Sequence, residues 1–207
     1  MSVRSKYKLV IFDVDGVIVK SDILYYEIAK RYNTNLEQEK LSHKISQSGE
    51  ELFSYIFGEN YTDVNVRWFR QMQKELFEPR KHLYSGISNI IKDISKYYRL
   101  AIVSNKPEAI IRQMLSRSNI IDSFDRVIGR DSGYSIKPSP DGINYLLENF
   151  QINNKSVIYF GDSPTDFKAC KSARVSFAHC KYGFDTNIIP CDYELEDINQ
   201  IRDILNL

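Results

Sequence analysis

The stretch Lys8-Leu9-Val10-Ile11-Phe12-Asp13-Val14-Asp15-Gly16-Val17 decides the fold. Four apolar residues, Leu9 to Phe12, run directly into two carboxylates one residue apart. A short β-rich run of this kind reads as a buried strand. Acids at its carboxyl end sit where open α/β sheets bind ligands. Gly16 supplies a turn and a close backbone approach. With a period of two, Asp13 and Asp15 are expected to point the same way. Two carboxylates converging there repel unless a cation lies between them. An oxygen-only donor set favours a hard cation, Mg2+ where phosphate is handled. A calcium loop of the EF-hand type is excluded, because its twelfth position, counted from Asp13, is Leu24 rather than Glu.

Three later segments repeat the pattern of strand followed by polar turn. Leu100-Ala-Ile-Val-Ser104 leads into Asn105-Lys106-Pro107. Lys137 stands in Ile136-Lys137-Pro138-Ser139-Pro140. Val157-Ile-Tyr-Phe-Gly161 delivers Asp162-Ser163-Pro164-Thr165-Asp166. Ser104 and Asn105, where strand gives way to helix, offer hydroxyl, amide and backbone N–H groups to an anion. Gly161-Asp162-Ser163-Pro164 also reads as a capped helix start, which accounts for Ser163 but not for a further acid at Asp166.

Between the first strand and residue 85 the pattern is helical. Ser21-Asp22 signals a helix start, and Ile23, Leu24, Ile28, Ala29 and Tyr32 recur at helical spacing. Further helices are expected around Leu36–Lys44, Glu50–Phe57, and from Thr62-Asp63 to about Glu78, where Pro79 stops the last. Their many aromatics, among them Phe53, Phe57, Trp68 and Phe69, read as bundle core. From Ser85 onward helices and strands alternate regularly, which implies a parallel sheet covered on both faces. The division expected is a core of residues 1–17 and 85–207 with a helical cap of residues 18–84.

Composition narrows the function classes. Hydrophobic residues at 43% and charged residues at 27% are a globular balance. A net charge of +1 gives no reason to expect nucleic acid or an anionic membrane as partner. The N-terminal residues lead into the first strand without an apolar leader, and no run is long enough to span a bilayer. Cys170, Cys180 and Cys191 fit no zinc spacing and are read as free thiols of a cytoplasmic protein. His43 and His82 fall in or beside the helical insertion, where they could touch a substrate; His179 stands apart.

Taken in order, the four motifs resemble those of the haloacid dehalogenase superfamily, in its phosphatase and phosphomutase branch with a helical cap. The resemblance covers residues 7–17 and 85–205. It implies an α/β fold, a Rossmann-like parallel sheet with the cap inserted after the first strand. It also implies Asp13 as nucleophile forming an aspartyl-phosphate, Asp15 as general acid and base, and Lys137 as the site's cation. Gly16, Ser104, Asn105 and Lys137 would bind phosphate. Asp13, Asp15 (through its backbone carbonyl), Asp162 and Asp166 would surround Mg2+. The implied partner is a small phosphorylated metabolite, met by a monomer or weak dimer. Among relatives the phosphoglycolate phosphatases look nearest, in part for Lys181-Tyr182-Gly183-Phe184. A sugar phosphomutase of the β-phosphoglucomutase type is the alternative enzyme, and a non-catalytic binding protein the alternative class. Two positions depart from many relatives: Lys20 where an Asp is usual, and Leu83-Tyr84-Ser85-Gly86 where Leu-x-Pro-Gly is usual.

Overall fold

The computed structural model describes residues 5–45, 49–184 and 188–207. Six strands form one parallel sheet: β1 (Leu9–Phe12), β2 (Arg99–Val103), β3 (Arg126–Ile128), β4 (Val157–Gly161), β5 (Ser176–Cys180) and β6 (Tyr193–Leu195). Their spatial order is β3-β2-β1-β4-β5-β6. The first strand therefore lies near the centre, with Phe12 opposite Ile102 on one side and Phe160 on the other. The order reverses at this strand, which opens a crevice beyond its carboxyl end.

Before β2 the chain makes α1 (Ser21–Tyr32), α2 (Gln38–Ile45), α3 (Gly49–Phe57), α4 (Asp63–Leu76), α5 (Pro79–His82) and α6 (Ile87–Ile94). After it come α7 (Glu108–Arg117), α8 (Asp141–Phe150), α9 (Pro164–Ala173) and α10 (Gln200–Leu205). Pro79 does end the long helix, as its missing N–H requires. It also opens a one-turn helix of its own, because proline suits the first helical position. None of the described helices is long and apolar enough to cross a membrane.

The alternation of strand side chains sorts the core into two layers. Val10, Phe12, Leu100, Ile102, Ile158 and Phe160 face one way, onto α6, α7, α10 and the helical insertion. Leu9, Ile11, Ala101, Val103, Val157 and Tyr159 face the other, onto α8 and α9. All four β1 side chains are fully buried, so each contributes roughly 1.5–3 kcal/mol of burial. Phe12 stacks on Phe160 with ring centroids 5.2 Å apart. In the insertion, Phe53, Phe57 and Phe69 pack against one another, as bundle core.

The two chain crossings into the insertion are tied together. Lys20 N donates to His82 O (2.7 Å), Tyr84 N donates to Ile18 O (3.2 Å), and Val19 bridges Leu83. Tyr182 clamps this pair from the late loop: its hydroxyl reaches Val17 O at 3.3 Å, while its own carbonyl accepts from the Tyr84 hydroxyl at 3.2 Å. Lys20 takes the side of this joint, its ammonium 5.6 Å from the Tyr84 ring centre.

Candidate active site

The sequence motifs meet at the carboxyl ends of β1, β2 and β4, in a cleft of ≈ 350 Å³ lined by Asp13, Asp15, Ser104, Asn105, Lys137 and Asp162. Asp13 follows β1 directly, and its N–H donates to Phe160 O at 2.9 Å, which fixes it beside the end of β4. Asp13 is 8% exposed. Its Oδ1 lies 3.1 Å from Lys137 Nζ but makes no well-directed hydrogen bond. Burial raises its carboxyl to about 6, Lys137 and the Ser104 hydroxyl pulling the other way.

Lys137 is held from three directions. Its ammonium donates to Asp166 Oδ1 at 2.5 Å and to Tyr159 Oη at 2.8 Å, and faces Asp13. Its backbone is clasped by Asn105: Lys137 N donates to Asn105 Oδ1 (2.9 Å) and Asn105 Nδ2 donates to Lys137 O (3.0 Å). Burial works against a charged ammonium, yet Asp13 and Asp166 outweigh it and keep the lysine protonated above its usual range. The Asn105 side chain thus clasps the lysine loop with its oxygen and one amide N–H, leaving its second amide N–H and its backbone to offer an anion.

Asp162 follows β4 and is almost fully buried. Its Oδ2 accepts from Phe184 N at 2.8 Å. Burial first, then Asp166, pushes its carboxyl well above the usual range. Gly16 explains how it fits. With φ at +75°, a Cβ there would stand 1.9 Å from Asp162 Oδ2, so only glycine leaves the acid its place. Gly183 does the same from the late loop, where a Cβ would meet Asp162 Cβ at 2.5 Å.

Asp166 turns out to be a bracket. Oδ1 takes Lys137 and Oδ2 takes the Ser163 N–H (3.1 Å) and hydroxyl (2.7 Å). Ser163 and Asp166 form a reciprocal capping box at the start of α9. Both readings of this segment, helix cap and acid cluster, hold at once. Carboxylate oxygens of Asp13, Asp162 and Asp166 lie within 4.8 Å of one another.

Asp15 lines the same cleft as Asp13 and bears on it as a nearby like charge. The strand ends at Phe12, so residues 13 to 15 lie in the turn beyond it. The Asp15 carboxylate meets the Ser21 hydroxyl and Lys106 Nζ, the latter at 2.9 Å. Lys106 was not among the residues singled out. It is 4% exposed, and it also donates to the Tyr25 hydroxyl and, at 3.3 Å, to Gln73 Oε1. Burial opposes its charge, but Asp15 overcomes that and holds the lysine above its usual range. Tyr25 belongs to α1 and Gln73 to α4, so one core lysine joins Asp15 to the helical insertion. Tyr159 was missed as well; its place in the middle of an apolar strand gave no signal.

The histidines lie elsewhere. His82 is fully buried in α5, with Nδ1 accepting from Glu78 N (2.8 Å) and Nε2 3.3 Å from Glu27, so it braces the joint rather than facing the cleft. His179 is buried in β5, stacked against Phe177. The side chain of His43 lies outside what the structure describes. All three cysteines are free thiols.

The phosphoglycolate phosphatase of Aliivibrio fischeri is 25% identical over 197 residues, covering 86% of each chain. A Haemophilus somnus protein described as a predicted phosphoglycolate phosphatase superposes with a TM-score of 0.83 over 97% of this chain and 98% of its own, at 22% identity. A Bacillus subtilis protein described as a HAD-hydrolase, crystallised bound to magnesium, gives 0.78 over 97% and 99%, at 20% identity. At these identities the two structures speak for the fold alone. The sequence model of haloacid dehalogenase-like hydrolases matches residues 10–180, from β1 through β5 and every motif between, and the chain is a member of that family.

Proposed function

We propose that this chain is a Mg2+-dependent phosphatase that hydrolyses a small phosphorylated metabolite, phosphoglycolate-like or a sugar phosphate, through an aspartyl-phosphate on Asp13. The observation that carries this reading is Lys137, held by Asp166 and Tyr159 with its ammonium 3.1 Å from Asp13. Phosphoryl transfer is mainly positioning and charge neutralisation, and a lysine fixed beside a carboxylate supplies both.

The donor set suits a hard divalent cation: oxygen ligands only, with Asp13 Oδ1 buried and without a hydrogen bond, and Asp162 beside it. Asp13, Asp162 and the Asp15 carbonyl would hold Mg2+, with Asp166 behind them. Bound there, Mg2+ supplies positive charge that offsets the crowded carboxylates and an incoming phosphate. Asp13 attacks phosphorus, and the P–O bond to the leaving group breaks. Asp15 gives that oxygen its proton, then takes one from the water that releases phosphate from Asp13. Lys137 and Ser104 hold the phosphoryl oxygens, and Gly16 leaves the backbone open to them.

In this reading residues 18–84 are a cap that closes the cleft, and residues 1–17 and 85–207 are the catalytic core. Three free thiols and the metabolite substrate agree with a cytoplasmic setting. The test is a panel of phosphorylated metabolites with Mg2+ and with excess chelator. Phosphate release that needs Mg2+ supports the reading; no release from any ester, or full activity in chelator, removes it.

A further inference from the structure

Two buried lysines in the cleft are each paired with acids. Lys137 serves Asp13 and Asp166, and Lys106 serves Asp15. Two more cations line the same space, Arg70 from α4 and Arg130 from the loop after β3. Among the described residues, neither guanidinium pairs with a carboxylate or donates a hydrogen bond. The acid beside Arg130, Asp131, caps α7, its Oδ1 accepting from Glu108 N at 2.8 Å, and from there it offsets only part of the positive charge around Arg70. Glu108 itself is taken by Arg112 and by the Ser132 hydroxyl.

The two arginines come from opposite walls. Arg130 reaches across toward the insertion, Nη1 standing 3.9 Å from where a Cβ on Gly49 would be. Arg70 is half-buried and feels Arg130 as a like charge. Burial first, and Arg130 second, lower its affinity for a proton. Two like charges facing one cleft, the Arg70 side partly desolvated and Arg130 exposed, are a standing invitation to an anion. A guanidinium presents a planar fork of donors that matches carboxylate or phosphate oxygens.

We propose that Arg70 and Arg130 form a second anion subsite, which selects phosphomonoesters whose leaving group carries its own carboxylate or phosphate. The inference rests on the phosphatase reading above and deepens it. Lys137 and the acid cluster take the transferred phosphoryl group, and the arginine pair takes the far end of the substrate. Because Arg70 comes from the insertion and Arg130 from the core, such a substrate bridges the two walls of the cleft. An uncharged leaving group cannot.

The test compares three phosphate monoesters of matched chain length, ending in a carboxylate, a second phosphate or a neutral hydroxymethyl group. The wild type is expected to favour at least one anionic end over the neutral one by about tenfold or more in kcat/KM, and the preferred end identifies the group bound. Arg70→Gln and Arg130→Gln should each collapse that ratio, chiefly through KM of the anionic ester. Reading a ratio on one preparation cancels any loss of folded enzyme. Equal efficiency on all three esters, or a ratio unaltered in both variants, overturns the subsite and leaves the phosphatase standing. Hydrolysis of none of the three removes the phosphatase and the subsite with it.

Discussion

Lys106 Nζ lies 2.9 Å from Asp15 Oδ1, and the same ammonium holds Tyr25 of α1 and Gln73 of α4. The residue expected to move the proton is therefore placed by a buried lysine that is itself seated by the helical insertion. In the proposed reading, where residues 18–84 form a cap, one side chain ties the position of Asp15 to that cap.

Replacing that lysine should cost turnover more than substrate binding. Lys106→Met is expected to lower kcat about 10- to 100-fold with a smaller change in KM, because Asp15 loses its anchor. Asp15→Asn should cost about 10^2 to 10^4, the usual worth of a general acid–base. Steady-state kinetics on one substrate read both. Wild-type kcat in Lys106→Met would show that Asp15 is placed without it.

Gly16→Ala tests the packing behind the metal site. The new Cβ would stand 1.9 Å from Asp162 Oδ2 at a φ of +75°. Strain and collision should cost about 2–4 kcal/mol of stability and displace Asp162. Denaturant unfolding and a Mg2+ titration are the measurements. An unchanged Mg2+ affinity would mean that Asp162 does not need this glycine.

Asn105→Ala removes both hydrogen bonds to the Lys137 backbone. We expect a loss of about 1–2 kcal/mol in stability and a fall of roughly tenfold in kcat, as the lysine loop loosens. If phosphate affinity alone changes, the asparagine binds ligand instead of placing Lys137.

Asp13 predicts how stability follows pH in the metal-free protein. Burial raises its carboxyl from 3.8 unfolded to about 6 folded. The folded chain therefore holds a proton that the unfolded chain releases. That contribution is complete below the unfolded value and fades as pH rises through about 6. Asp13→Asn should exceed the wild type in unfolding free energy above about pH 6, by on the order of 3 kcal/mol, with the gap closing toward about pH 4. Mg2+ competes with the same proton, so it should raise the wild-type Tm more at about pH 8 than at about pH 5. A pH-independent gap, or equal Mg2+ effects, would place the titrating group elsewhere.

The sheet and the helices between β1 and β2 were readable because each rests on local pattern. The apolar run Leu9–Phe12, the helix-start signals and the later alternation all act over a few residues. The meeting of Asp13, Lys137 and Asp162 came from four motifs in order, not from any one of them. What escaped was long-range. Lys106 sits in an ordinary Ser-Asn-Lys-Pro turn, and its partners Tyr25 and Gln73 are 81 and 33 residues away. Asn105 and Lys137, 32 residues apart, gave no hint of their mutual clasp. Asp166 carried two signals that a linear reading set against each other, yet one carboxylate serves both cap and lysine.

The most direct measurement is to mix the protein with a slowly hydrolysed phosphomonoester and Mg2+, quench it, and locate the bound phosphate by peptide mass spectrometry. The account predicts an acid-stable, hydroxylamine-labile acyl phosphate on Asp13, absent from Asp13→Asn and still formed in variants of Arg70. Phosphate trapped on any other side chain, or hydrolysis that persists in Asp13→Asn, would contradict it.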